Sequence, residues 1–368
     1  MSGPEMAVGL DVTQAVKTRG RGIARYISEV APRLIQPEHR LNVTFCVRGE
    51  RWWVRHRFAE ISAAPRRSWL PLAGLMSTSR LALFHSFGNH LPAWSRVPTS
   101  FTVHDFRSLD QPGGKDRSAR RLQRNIRRAS GIICLTQHGR TRLEQHFPDL
   151  DRCHVAVIPH GVNHRMFFPR ERKALLSALA PIGLDRPYIL QLGSWFQHKN
   201  PELTVRAFAD SRARKEEHLL VFLGGGVDRR RMSQLYALCD AQGVTDCVRW
   251  IEDVPAPEVP LIVAGASAVV MPSLYEGFGL PLLEAMASGV PGIISDSSCL
   301  PEVAGGAWPM FSQGDVTDYA KKLDLVVFDA HVRREAIENG LRHARGFCWN
   351  RTASETARFF RDTLKKLG

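Results

Sequence analysis

Residues 271–295 read MPSLYEGFGLPLLEAMASGVPGIIS. Val269, Val270 and Met271 close a buried strand, and Gly277 and Gly279 open a loop after it. Pro281 suits the first turn of a helix, where a missing N–H costs nothing. Leu282, Leu283, Met286 and Ala287 give that helix an apolar side, Gly289 ends it and Pro291 prevents its continuation. A helix start carries roughly half a positive charge and several N–H donors without partners. Phe278, Gly279 and Leu280 would aim such donors at an anion, for which phosphate is the usual guest. Glu276 stands in the loop and Glu284 on the helix, with seven residues between them. A carboxylate accepts two hydrogen bonds side by side, as vicinal hydroxyls of a sugar or ribose offer them. Two carboxylates flanking a phosphate nest point to a nucleotide-diphosphate sugar.

The element EGFGLPLLE, with ASGVP behind it, resembles the donor-site signature of the family-4 (group 1) retaining glycosyltransferases. That resemblance implies the GT-B fold: α/β, with two Rossmann-like parallel-sheet domains facing a central cleft. The rest of the chain agrees with it. Strand and helix signals alternate throughout, which implies parallel sheets, in two series split near residue 175. Residues 1–174 are therefore expected to form an acceptor-binding domain and 175–345 a nucleotide-sugar donor domain. The amphipathic stretch 346–368 is expected to be a final helix crossing back to the first domain.

In the second series Tyr188–Leu192 is a strand followed by GSWFQHKN at residues 193–200. Asn200 is expected to cap a helix that has Pro201 at its first position, which holds Lys199 at a helix start. The family has a basic pair in this loop, and Lys199-Asn200 matches its Lys-Asn. Ser194 replaces the arginine often found after Gly193, and His198 stands where some members carry an arginine. Gly224 opens a glycine turn that borders the nucleotide in the family.

In the first series the loop Gly20-Arg21-Gly22, within GRGIARY, opens a helix over 23–35 and reads as an acceptor or phosphate cradle. Two buried strands, 81–85 and 100–104, each end in a histidine, His85 and His104. Ligands of doubly wound sheets sit at such strand ends. FTVHDF resembles the family's His-Asp element, whose histidine lies close to the transferred sugar. Residues 155–168, VAVIPHGVNHRMFF, resemble the segment before the interdomain linker, with His160 and His164 in place of commoner residues.

The resemblance implies catalytic roles for His104, Lys199 and Glu276. Donor contacts fall to Gly193, Ser194, His198, Lys199, Gly224, Gly277, Phe278, Gly279, Leu280 and Glu284. The implied reaction moves a hexose from a nucleotide-diphosphate co-substrate, with no cofactor and no metal. Asp149-Leu150-Asp151 is the one DxD, and it lacks the context of a metal motif. The pattern resembles mannosyltransferases of bacterial surface-polysaccharide and lipopolysaccharide pathways. GDP-mannose is the expected donor, with UDP-glucose open, and the expected acceptor is a saccharide or lipid-linked saccharide. Other readings are a nucleotide-sugar epimerase or a phosphorylase of the same architecture, a transferase that only binds, and a basic nucleic-acid-binding protein. No nucleic-acid module is visible.

The 368 residues carry a formal charge of +14, which calls for an anionic partner or surface. Residues 51–75 mix tryptophans with arginines, suiting either a membrane headgroup region or a packed domain surface. Residues 117–128 form a helix with Arg117, Arg120, Arg121, Arg124, Arg127 and Arg128 on one face, facing an anion or solvent. No run of eighteen apolar residues could span a bilayer, and the N-terminus does not read as a signal peptide. Seven scattered cysteines without a CxxC pair suit buried thiols in a reducing compartment. The expected location is cytoplasmic, with peripheral attachment to the inner face of a membrane.

Overall fold

The computed structural model describes residues 5–17, 22–48, 67–70, 81–93, 95–111 and 117–368. The chain divides into two units, Met1–Gly161 with Cys348–Gly368, and Val162–Phe347. The division comes earlier than residue 174, because the chain from Val162 onward packs with the second unit.

The first unit is built on a parallel sheet of seven strands: β1 (Met6–Asp11), β2 (Leu41–Arg48), β3 (Arg67–Leu70), β4 (Leu83–Ser86), β5 (Thr99–Val103), β6 (Gly131–Cys134) and β7 (His154–Val157). Their order is β3-β2-β1-β4-β5-β6-β7. The order reverses beside β1, the doubly wound switch that places ligand sites at the carboxyl ends of the strands. Strands β4, β5 and β6 are buried along their whole length. Such burial is expected of a parallel sheet, whose two faces are both covered by helices. Phe84, Phe101 and Ile132 lie in the core.

The helix Trp349–Leu367 belongs to this unit. Its Phe359 ring stacks on His154 of β7, and Thr363 Oγ1 bonds His154 Nδ1 at 3.0 Å. A Cβ at Gly131 would stand 2.8 Å from both Phe359 and Thr363, so β6 meets this helix only because residue 131 has no side chain.

The second unit carries a six-stranded parallel sheet: β8 (Tyr188–Ser194), β9 (Leu219–Gly225), β10 (Val248–Glu252), β11 (Ala268–Met271), β12 (Gly292–Ser295) and β13 (Met310–Phe311). Its order is β10-β9-β8-β11-β12-β13. The crossover here lies between β8 and β11. Val270, Ile293 and Ile294 are fully buried, and so are Leu283 and Met286 of the helix Leu280–Ala287. The two ends of this unit meet, with Val162 N donating to Phe347 O at 3.3 Å.

Several local expectations change. Residues 193–194 and 224–225 are the last residues of β8 and β9 rather than free loops, because Gly193 and Ser194 pair with Gly224 and Gly225. The stretch 51–75 lies outside the described residues except for the strand Arg67–Leu70, which extends the first sheet. Cys46, Cys134, Cys153, Cys239, Cys247 and Cys299 are buried free thiols, and Cys348 is half-buried.

Candidate active site

At the carboxyl end of β8 the chain enters a short 3-10 turn, Gln197–Lys199. Asn200 does not cap the following helix Pro201–Asp210 with its side chain. It instead takes the left-handed conformation at φ 52°, which reverses the chain. Lys199 is held by its own backbone: its carbonyl accepts from Gln191 Nε2 at 2.8 Å. Gln191 Oε1 accepts from Thr204 Oγ1 at 2.6 Å, and Thr204 is reached in turn by Tyr319 OH at 3.2 Å. This buried chain fixes the loop from beneath. From the side, Leu274 N donates to His198 O at 2.8 Å, which ties the loop after β8 to the loop after β11.

Those two loops bring Lys199 and Glu276 together. Lys199 Nζ bonds Glu276 Oε1, with the two side chains 16% and 8% exposed. Ser273 Oγ donates to the same oxygen at 2.8 Å. Ser298 Oγ accepts from Glu276 N at 2.9 Å, and Ser295 and Ser297 both donate to Ser273 O. Two donors thus converge on Oε1, while Oε2 makes no hydrogen bond or ion pair among the described residues. An ion pair this buried is weak evidence for stability, since desolvation offsets most of its attraction. Its value is orientation: a carboxylate with one oxygen pinned presents the other in a fixed direction.

Glycines let the backbone close around this pair. A Cβ on Gly224 would fall 1.8 Å from Gly193 O, so β8 and β9 can end side by side only with glycine there. Gly279 precedes the helix Leu280–Ala287 at φ 96°, and no side chain caps that helix. Its first N–H groups have no intrahelical acceptors, so the turn is suited to an anion. Gly277 and Leu280 are half-buried, while Phe278 is buried against Phe347 at a 6.3 Å ring separation. Glu284 is 4% exposed on the second turn.

The strand ends of the first unit differ. His104 follows β5 and its Nε2 lies 2.6 Å from Phe87 O. A carbonyl only accepts, so Nε2 carries the proton. Nδ1 is left as an acceptor without a hydrogen-bond partner among the described residues. Burial lowers the His104 pKa, only partly offset by the Phe87 carbonyl and Asp105. The ring packs near Tyr26 at 5.9 Å and His160 at 6.0 Å. His160 is buried, 4.4 Å from Tyr26 and 5.5 Å from Trp349, and burial followed by the nearby His104 holds its pKa well down. The neighbouring Gly161 lets the chain pass Trp349, since a Cβ there would sit 2.3 Å from Trp349 N.

His85 does not belong to a ligand loop. It is fully buried inside β4, bonded to Ser100 Oγ at 3.0 Å and Thr102 Oγ1 at 3.4 Å, with Phe360 5.0 Å from its ring. Burial, with a smaller push from His104, brings its pKa down to about 3. The strand runs one residue past it to Ser86, and its hydroxyl partners make it a satisfied core histidine. Gly20 and Arg21 lie outside the described residues; Gly22 opens the helix Gly22–Leu34.

Two family models match this chain. Residues 20–165 match Glycosyltransferase Family 4 and residues 177–343 match Glycosyl transferases group 1. The chain belongs to the family-4, group 1 glycosyltransferases. The D-inositol 3-phosphate glycosyltransferase of Arthrobacter sp. (strain FB24) is 30% identical over 270 residues, covering 71% of this chain and 64% of that protein. The chain therefore spans somewhat under two thirds of that relative's length. The O-antigen chain mannosyltransferase B of Escherichia coli is 38% identical over 109 residues, 30% of this chain and 29% of that one. Among solved structures, HepE of Anabaena in complex with UDP-glucose superposes with a TM-score of 0.78 at 14% identity, covering 97% of this chain and all of that one. WaaG, a glycosyltransferase involved in lipopolysaccharide biosynthesis, gives 0.68 at 13% identity, covering 96% and 98%. These likenesses show the fold, GT-B.

In this family member the second unit brings Gly193, Ser194, His198, Lys199 and Glu276 to the ends of β8 and β11, with Gly224 at the end of β9. The reading of the sequence missed Ser273, Gln191 and Thr204, which hold the pair in place. Ser273 stands three residues before Glu276 in the same loop and could have been found there. Gln191 and Thr204 offered no signal, because a polar residue inside a buried strand or helix reveals its partner only in three dimensions.

Proposed function

We propose that this chain is a retaining hexosyltransferase acting on a nucleotide-diphosphate sugar, with GDP-mannose as the donor. The acceptor is a saccharide or lipid-linked saccharide of surface-polysaccharide or lipopolysaccharide biosynthesis, met at an anionic membrane surface. The observation that carries this reading is the Lys199–Glu276 pair beside the uncapped helix start at Gly279. The match to the Escherichia coli mannosyltransferase favours mannose.

The reaction breaks the bond between the anomeric carbon and a diphosphate oxygen, and negative charge grows on that oxygen. Fixed donors aimed at developing charge are usually the largest catalytic term. Lys199 supplies an ammonium, and the backbone near Phe278–Leu280 supplies N–H dipoles. As the diphosphate draws on Lys199, Ser273 continues to hold Glu276 Oε1, and Oε2 accepts from sugar hydroxyls. Glu284 holds the ribose. Nδ1 of His104 accepts from a hydroxyl of the transferred sugar. The acceptor oxygen bonds to the anomeric carbon on the face the diphosphate leaves, and the departing phosphate oxygen takes its proton. No protein nucleophile is required.

The test is a screen of the full chain against common nucleotide sugars, with nucleotide-diphosphate release as the readout. Oligosaccharides and inositol phosphate serve as acceptors, the latter because of the Arthrobacter relative. Acceptor-dependent release from GDP-mannose is expected. Acceptor-independent interconversion of sugars would establish an epimerase instead. Near-normal release by both Lys199→Met and Glu276→Gln would overturn the assignment of the site.

A further inference from the structure

The helix Arg117–Arg128 has the sequence RSARRLQRNIRR, with no acidic residue. At 100° per residue its six arginines fall within an arc of about 120°. Leu122 and Ile126 lie opposite that arc and are buried in the core of the first unit, with Phe106 and Leu143. Asn125 anchors the helix from the same side, its Nδ2 donating to Asn89 O at 3.2 Å. The rotation of the helix is thereby fixed, and all six arginines are exposed.

None of the six pairs with a carboxylate among the described residues, although eight other arginines of the chain do. The guanidinium of Arg127 lies 5.5 Å above the Phe147 ring. Six like charges along a helix about 18 Å long repel one another. Nothing in the packing requires arginine at these places, since the apolar side already holds the helix.

We propose that this arginine face is where the protein lies on an anionic phospholipid surface. The proposal rests on the reading of the acceptor as lipid-linked and names the part of the chain that meets the lipid. Guanidinium groups pair bidentately with phosphate, whose headgroups form a continuous plane. A convex, exposed row of cations suits a plane. Clusters of four to eight basic residues on one helix act in this way, each contributing roughly a factor of five near an anionic surface. Single-stranded nucleic acid, by contrast, is held in grooves with aromatic side chains for its bases, and this helix has no aromatic residue. The face carries no apolar side chain to insert, so attachment is electrostatic and reversible, and salt weakens it.

The test uses the full chain without donor or acceptor, so vesicle binding is read apart from transfer. Wild type is expected to sediment with phosphatidylcholine–phosphatidylglycerol vesicles and not with phosphatidylcholine alone. The variant R120Q/R121Q/R124Q should bind on the order of a hundredfold more weakly, with unchanged melting and unchanged rate on a water-soluble acceptor. The variant R120K/R121K/R124K should keep most of the binding, which separates charge from folding. Equal binding by the glutamine variant, or no preference of wild type for anionic vesicles, would overturn the proposal. So would release of wild type from the vesicles by duplex DNA at equal phosphate. If vesicle binding behaves as expected and no acceptor is glycosylated, only the transfer reading fails.

Discussion

The strand ends of the two units carry opposite kinds of polar chemistry on the same kind of sheet. In the second unit β8 and β11 deliver formal charges, an ammonium bonded to a carboxylate that serines hold in place. In the first unit the end of β5 delivers His104, an imidazole whose pKa burial lowers, packed near Tyr26 and His160. A doubly wound sheet fixes where a ligand sits; the residues just past each strand decide what sort of ligand it is. Fixed charge suits a diphosphate, and a neutral ring with one open acceptor suits sugar hydroxyls.

The sharpest way to break this contrast is to remove charge from the second unit. Lys199→Met and Glu276→Gln should each lower turnover by about 10²–10³ while unfolding stays cooperative. Initial rates and thermal melts check this; a fall of less than about tenfold would mean that the charges do not do the chemistry.

Backbone closure comes next. Gly224→Ala should destabilise the protein by about 1–3 kcal/mol, because the new methyl meets the Gly193 carbonyl. Gly22→Ala in the first unit, where a Cβ meets nothing, should stay within about 0.5 kcal/mol of wild type. Urea midpoints measure both.

The neutral histidines predict an acid weakness. His85 has a folded pKa of about 3 against an unfolded value near 6.5. Between those values the unfolded chain binds a proton that the folded chain refuses. Stability is therefore complete above about pH 6.5 and falls as pH drops toward about 3, by up to about 1.4 kcal/mol per pH unit from this one group. His85→Gln should flatten the slope of stability against pH by that amount; an unchanged slope would remove the imidazole as its source.

The smallest effect should come from Ser273→Ala, about 1 kcal/mol for one hydrogen bond. It should lower turnover severalfold, because Glu276 Oε1 loses one of the two donors that hold it in place.

The second unit was far more legible than the first in the amino-acid sequence. Most of its strands are short apolar runs, and apart from Gly224 its site residues fall within two compact segments, 193–200 and 273–284. Local spacing could therefore place Lys199 and Glu276 near strand ends, although not against each other. The histidines show the opposite case. His85 and His104 both follow apolar residues near a strand end, and nothing local distinguishes them. One further residue of strand, with Ser100 and Thr102 on the neighbouring β5, puts His85 in the core. Register across strands decides such cases, and register is a long-range property. Asn200 was misread for a related reason: a good capping residue before Pro201 also tolerates the left-handed conformation, and the turn from β8 used it for that purpose.

The meeting of Val162 with Phe347 has a practical consequence. The second unit leaves and rejoins the chain at almost one point, so it is a cassette threaded into its host through adjoining ends. Such insertions are readily excised, transplanted or circularly permuted. A few glycines and serines joining Gly161 to Cys348 should suffice to produce the host alone, and the cassette of a relative could be grafted between the same two residues.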